Sequence, residues 1–196
     1  MSPFVATERY AAAVAYAAEL HKNQTRKGTD IPYLCHLLAV SASVIEAGAD
    51  EEVAIAALLH DTAEDQGGRP RLDDIEARFG PRVARIVEGC SDFLDESGPK
   101  PPSKQRRQLH LSELEHRADP DVLLVTAADK LHNARAIATD LANQGPAMLR
   151  RFSGDADELL WYYDTELELL QRKGVPAVLT TPLVDAVALI KERIAS

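Results

Sequence analysis

The sequence predicts an all-α fold, a single bundle of seven to nine helices, on three observations. Apolar residues recur at three- and four-residue spacing through most of the chain, no stretch alternates apolar and polar as a half-buried strand does, and the helical runs are bounded by capping residues, glycines and prolines. There is no internal repeat. In chain order, Thr7 caps "ERYAAAVAYAAELHK", whose Tyr10, Val14, Ala17, Ala18 and His21 share one face, so His21 points inward. A second helix covers 33–47 and stops at Gly48. The third, 51–65, opens with acids suited to the positive end of the helix dipole. "RLDDIEARF" ends at Gly80, and Pro81 begins "PRVARIVEGC". The proline-rich "DESGPKPPSKQ" at 95–105 reads as the clearest loop. Helices follow at 104–116, at 121–141 after a break at Asp119 and Pro120, at 155–172, and from Thr181 and Pro182 to Ile194.

Composition bounds the function. With 196 residues, 45% apolar and 27% charged, the chain has the size and core of one domain, 1–196, with no room for a second catalytic one. A net charge of −9 argues against binding nucleic acid along its backbone, so an anionic ligand needs a local basic patch. No apolar run is long enough for a membrane span, the first residues lack the order of a signal peptide, and a cytoplasmic protein is expected. Cys35 and Cys90 are then packed or exposed thiols rather than a disulfide. On the last helix Leu183, Val187, Ile190 and Ile194 pack either on the core or on a second copy, which leaves a homo-oligomer open.

The chemistry is concentrated in two segments that place histidines inside apolar runs, "YLCHLLAV" at 33–40 and "AALLHDTAED" at 56–65. Burying an imidazole or a carboxylate costs free energy unless a partner compensates it, and a metal ion is one such partner. If 51–65 is one helix, Glu64 lies three residues after Asp61 and four after His60, so all three share a face, with Asp65 one turn after Asp61. Nitrogen and oxygen donors together suit Mn²⁺, Fe²⁺ or Zn²⁺ better than Ca²⁺. His36 and Asp129 complete a four-ligand set from distant helices, Asp129 following the apolar run "DVLLVTAA". Each residue also has an ordinary reading. His36 could be a hydrogen-bonded core histidine, Asp129 could pair with Arg135, and Glu64 and Asp65 could open a solvated loop.

The order His36, then His60 with Asp61, then Asp129 resembles the HD-domain metallophosphohydrolases. The longer stretches "HKNQTRKGTDIPYLCHLLAV", "AALLHDTAED", "FGPRVARIVEGCSD" and "AADKLHNAR" narrow the likeness. They resemble the hydrolase domain of the RelA/SpoT-type alarmone enzymes, in particular the small stand-alone alarmone hydrolases of the metazoan SpoT-homologue kind. The resemblance runs from about Arg9 to Gln171. It implies an HD-domain helical bundle that removes the 3′-pyrophosphate of guanosine or adenosine tetra- and pentaphosphates, with Mn²⁺ held by His36, His60, Asp61 and Asp129. It also implies that Glu64 and Asp65 orient the attacking water and handle its proton, Glu64 with the larger role. Arg26 and Lys27 match the family's phosphate-holding pair, a task suited to a guanidinium, and Asn133 and Arg135 match positions bordering the nucleoside.

Lys130, beside a ligand, is read as serving charge balance. "SKQRRQ" at 103–108 is either a further phosphate clamp or a solvated edge, His21 and His132 support the ligands rather than join them, and "WYYD" at 161–164 is core. The chain departs from the family's habit at Gly28, Gln66 and Ala136, which spares every proposed metal ligand but bears on the fit of ribose, phosphates and base, so adenosine alarmones or another 3′-phosphorylated nucleotide stay open as substrates. Two other functions compete. Another HD-type nucleotide phosphohydrolase is distinguished by releasing phosphate rather than pyrophosphate. A non-catalytic nucleotide-sensing module is distinguished by loss of a ligand or of the acidic pair, and this chain retains them all.

Overall fold

A computed structural model describes residues 4–91, 94, 101–116, 119–151 and 155–195. Among these the chain is all-α, with ten α-helices, one 3-10 helix and a lone antiparallel bridge between Thr25 and Pro32. The helices are α1 Glu8–Leu20, α2 Leu34–Glu46, α3 Glu51–Leu59, α4 Thr62–Asp65, α5 Gly68–Phe79, α6 Pro81–Cys90, α7 Ser103–His116, α8 Pro120–Gln144, α9 Ala156–Arg172 and α10 Ala177–Ala195. They fall into two compact units, Met1–Lys100 and Pro101–Ser196. No helix among the described residues is long and apolar enough to cross a membrane.

In the first unit α3 is the central element and packs against α1, α2 and α6. Every residue from Val53 to Leu59 is buried, so the helix is apolar all round rather than striped. Asp50 caps it by accepting from the Val53 amide at 3.1 Å, and Arg82 ties Asp50 and Glu52 to α6 at 2.6 and 3.2 Å. Gly80 separates α5 from α6 with φ of +86° and ψ of 167°, a region open essentially to glycine. Pro81 then occupies the first position of α6, as its spacing predicts.

In the second unit α8 packs against α10, α9 and the 3-10 helix Pro146–Arg151, while α9 also contacts α7 and α10. Asp119 caps α8 through the Asp121 amide at 3.0 Å, so Asp119 and Pro120 start this helix as well as ending the one before. Leu183, Val187 and Ile190 are buried in the contact of α10 with its neighbours.

The elements differ from the sequence expectation in several places. The 51–65 stretch divides at His60 and Asp61 into α3 and α4, which raises nine helices to ten. Asp61 has φ of −94° and ψ of −5°, a backbone geometry that turns the chain without any glycine or proline to announce it. The loop expected at 95–105 ends earlier, because α7 already begins at Ser103, and its residues 95–100 lie outside the described ones. The 3-10 helix was not expected. Finally, α10 begins before Thr181, and Pro182 lies inside it. The extra turn buries Leu179 and Thr180, a gain set against the hydrogen bond that proline cannot donate.

Candidate metal centre

The turn between α3 and α4 brings three predicted ligands together in the first unit. His36, in the first turn of α2, and His60, at the end of α3, are both buried. Their rings lie 5.2 Å apart, edge to face. Both Nε2 atoms approach the same carboxylate oxygen, Asp61 Oδ2, at 3.6 Å from His36 and 3.1 Å from His60. His60 Nδ1 lies 2.8 Å from the Ala57 carbonyl, which can only accept, so Nδ1 donates, and in the neutral ring this leaves Nε2 as the acceptor that faces Asp61. Two acceptors so placed repel unless a cation joins them, either a proton on the ring or a metal ion between them. A ring nitrogen fixed by a backbone carbonyl is also the usual arrangement of a metal-ligating histidine. The donor set therefore fits a divalent transition metal.

Tyr33, which the sequence reading did not single out, helps to hold this arrangement. The Tyr33 hydroxyl donates to Asp61 Oδ2, and its ring stacks on His21 at 5.4 Å. The Arg26 guanidinium lies over the Tyr33 ring, 5.6 Å from its centre. Arg26 and Lys27 lie in a tight loop closed by the Arg26 amide to the Ile31 carbonyl at 2.8 Å and the Thr29 amide to the Arg26 carbonyl at 3.0 Å. Gly28 makes that turn with φ of +74°, which supplies a backbone reason for glycine at this departure from the family's habit. Lys27 is exposed.

His21 is buried and supports the site, as expected. Its Nδ1 lies 2.7 Å from Gln24 Oε1 and its Nε2 3.2 Å from Thr62 Oγ1. Gln24 in turn donates to Asp65 Oδ2 at 2.7 Å and accepts from Gln66 Nε2 at 2.8 Å, so Gln66 has a role in this chain that a threonine could not fill in the same way. Desolvation holds the His21 pKa below its ordinary 6.5. With the folded value depressed, the stabilising contribution is complete above 6.5 and is lost as the pH falls through the lower folded value. Metal-free protein is thus expected to lose stability on acidification below 6.5, less steeply in His21→Gln, as read by thermal melting against pH. Parallel curves for the two proteins would sink this assignment.

Glu64 is half-buried on α4, one residue before Asp65. Although Asp65 is exposed as a whole residue, desolvation of its carboxyl group, and then the Asp61 charge, hold its pKa above the ordinary value.

The remaining predicted residues belong to the second unit. Asp129, on α8, accepts from Asn133 Nδ2 at 2.6 Å, and Lys130 Nζ lies 3.4 Å from its other oxygen. Asn133 thus orients Asp129, as the four-residue spacing allows. Arg135 is exposed. Within 103–108, Lys104, Gln105 and Gln108 are exposed, whereas Arg107 is engaged with Glu158 at 2.8 Å and lies over the Tyr162 ring at 5.1 Å. Tyr162 and Tyr163 are core residues, whereas Trp161 is at the surface. The most notable residue that sequence reading missed is Glu166, 1% exposed, with Oε1 3.1 Å from His110 Nε2 and Oε2 3.8 Å from Lys130 Nζ. A signal for it exists: in α9 it falls on the buried face that includes Leu159, Tyr162, Tyr163 and Leu170, an acid in an apolar stripe.

Comparison with known proteins places these features in a family. Over 125 residues the chain is 40% identical to the guanosine-3′,5′-bis(diphosphate) 3′-pyrophosphohydrolase MESH1 of Danio rerio, covering 62% of this chain and 65% of that protein. It is 38% identical over 125 residues to the guanosine-3′,5′-bis(diphosphate) 3′-pyrophosphohydrolase of Aquifex aeolicus, of which only 17% is covered. The chain thus spans less than two thirds of the length of either relative. A solved structure of a metazoan SpoT orthologue, described as hydrolysing ppGpp and acting in starvation responses, superposes with a TM-score of 0.75 at 28% identity, covering 97% of this chain and 98% of that one. A model of the HD domain matches residues 13–152, more than half of the sequence and a span that contains His36, His60, Asp61 and Asp129, so the chain belongs to the HD-domain family.

Proposed function

We propose that this protein is a Mn²⁺-dependent hydrolase that removes the 3′-pyrophosphate from (p)ppGpp or (p)ppApp. The products are GDP or GTP, or ADP or ATP, together with pyrophosphate. The observation that carries this reading is the convergence of the His36 and His60 Nε2 atoms on one Asp61 oxygen, with the His60 tautomer set by Ala57. The named activities of the relatives supply the substrate class. Asp129 is the fourth ligand in this reading, and 1–196 acts as one HD-type domain, supported by a family match that runs through both units.

His36, His60, Asp61 and Asp129 would hold the ion, which supplies Lewis acidity that lowers the pKa of water and polarises the phosphoryl oxygens. Fe²⁺ and Zn²⁺ suit the same donors. Glu64 takes the proton as water oxygen bonds to the phosphorus carried by the 3′ oxygen; the bond from that phosphorus to the 3′ oxygen breaks, and the leaving 3′ oxygen takes up a proton, passed on from Glu64 or taken from solvent, to become the hydroxyl. Asp65, held by Gln24, orients the water. Arg26, seated on Tyr33, and Lys27 bind phosphate, while Asn133 and Arg135 border the nucleoside.

The test is nucleotide chromatography of metal-stripped protein with ppGpp and with ppApp, each with and without Mn²⁺, and with Fe²⁺ and Zn²⁺ alongside. GDP or ADP is expected with pyrophosphate only when metal is added. Release of phosphate in place of pyrophosphate, or no cleavage of either nucleotide, overturns the reading.

A further inference from the structure

Glu166 is the most deeply buried acid among the described residues, and through Lys130 it is linked to Asp129. Its Oε1 faces His110 Nε2 at 3.1 Å and its Oε2 faces Lys130 Nζ at 3.8 Å. The same ammonium lies 3.4 Å from Asp129 Oδ2 and 5.1 Å from the centre of the Tyr162 ring. Lys130 is therefore shared between two carboxylates at similar distances, one of them the proposed fourth ligand. A mostly buried ammonium responds strongly to each neighbouring charge, because little water screens it.

We infer that Glu166 is a positioning residue: by drawing the Lys130 ammonium towards itself, it keeps the Asp129 carboxylate available to a divalent cation. This rests on the reading of Asp129 as a ligand. His110 anchors Oε1 of Glu166 at 3.1 Å, which leaves Oε2 facing Lys130 at 3.8 Å, an ion pair beyond hydrogen-bond distance. The Tyr162 ring gives the ammonium a favourable seat between the two acids. Lys130 lies 3.4 Å from Asp129 and 3.8 Å from Glu166, so without the negative charge at position 166 the pull away from Asp129 is lost and the ammonium competes with the metal for that carboxylate. A glutamine at 166 strengthens the effect, since its amide can accept from His110 while turning its own donor towards Lys130.

The experiment is calorimetric titration with Mn²⁺ alone of the full chain, comparing wild type, Glu166→Gln, Glu166→Gln/Lys130→Met and Asp129→Asn. Metal-free melting curves establish that each is folded. Glu166→Gln is expected to bind Mn²⁺ about tenfold more weakly, in the range for losing an outer partner of a ligand. The double variant removes the competing cation and should recover to within about twofold of wild type, a rescue that general damage to packing does not produce. Glu166→Asp, which keeps the charge but withdraws it, should show a smaller loss in the same direction, and it carries the test if the glutamine variant does not fold.

Unchanged affinity in Glu166→Gln with a weakened Asp129→Asn overturns the inference and leaves the ligand reading standing. A double variant as weak as the single one also overturns it, because the loss then does not pass through Lys130. Unchanged affinity in Asp129→Asn removes the ligand reading, and the inference falls with it.

Discussion

His60→Ala is expected to abolish measurable hydrolysis and to weaken Mn²⁺ binding by more than about a hundredfold, beyond the cost of losing an outer partner of a ligand. The imidazole is buried, with Nδ1 committed to the Ala57 carbonyl and Nε2 held 3.1 Å from Asp61 Oδ2. Alanine removes the nitrogen donor and leaves the His36 ring without its edge-to-face neighbour. Two controls give the result its meaning. His116→Ala changes an exposed histidine bonded to the Ser112 carbonyl and should leave Mn²⁺ affinity and hydrolysis unaltered. Asp61→Asn keeps the size of the side chain but removes the charge that faces both rings, and should lose metal binding much as His60→Ala does. If His60→Ala binds Mn²⁺ as wild type does, the α3–α4 turn is a polar packing feature and the metal assignment fails. The measurements are calorimetric Mn²⁺ titration and nucleotide turnover on the same preparations.

Glu64→Gln is expected to lower kcat by about 10²- to 10⁴-fold, the range for removing a general acid or base, with little change in Mn²⁺ affinity. Asp65→Asn should cost less. The two acids are adjacent on α4 but differently held. Asp65 receives the Gln24 amide, which commits one of its oxygens and fixes it as an orienting group, although desolvation and then the Asp61 charge raise its pKa and so its basicity. Glu64 stands one turn beyond His60 and Asp61 and is half-buried, where it can approach water near the ligands. Steady-state kinetics decide the ranking: equal losses in the two variants would make the acids a coupled pair, and a larger loss in Asp65→Asn would transfer the role of base to Asp65.

Much of this was legible in the sequence, and the reasons can be stated residue by residue. Thr7 as the cap of α1, Gly80 and Pro81 at the α5–α6 junction and the inward face of His21 all depend on residues close in the chain. His36 and His60 stood out because an imidazole in an apolar run demands a partner. Glu166 carried a comparable signal, an acid on the buried face of α9, but its meaning depends on His110 and Lys130, which lie on other helices. Pro182 misled for a related reason: proline usually begins a helix, and here burial of the preceding turn outweighs its local preference.

The sequence by itself determined the all-α class, most helix boundaries and the kinds of atoms available to a metal, because helical period and capping are properties of neighbouring residues. Only the tertiary structure decided that the chain turns at Asp61 so that one of its oxygens meets both histidines. It also decided that a tyrosine 28 residues away donates to that oxygen, and that Glu166 shares a lysine with Asp129. Those contacts are set by how helices pack, and side chains distant in sequence meet only when buried surface fixes the helices that carry them.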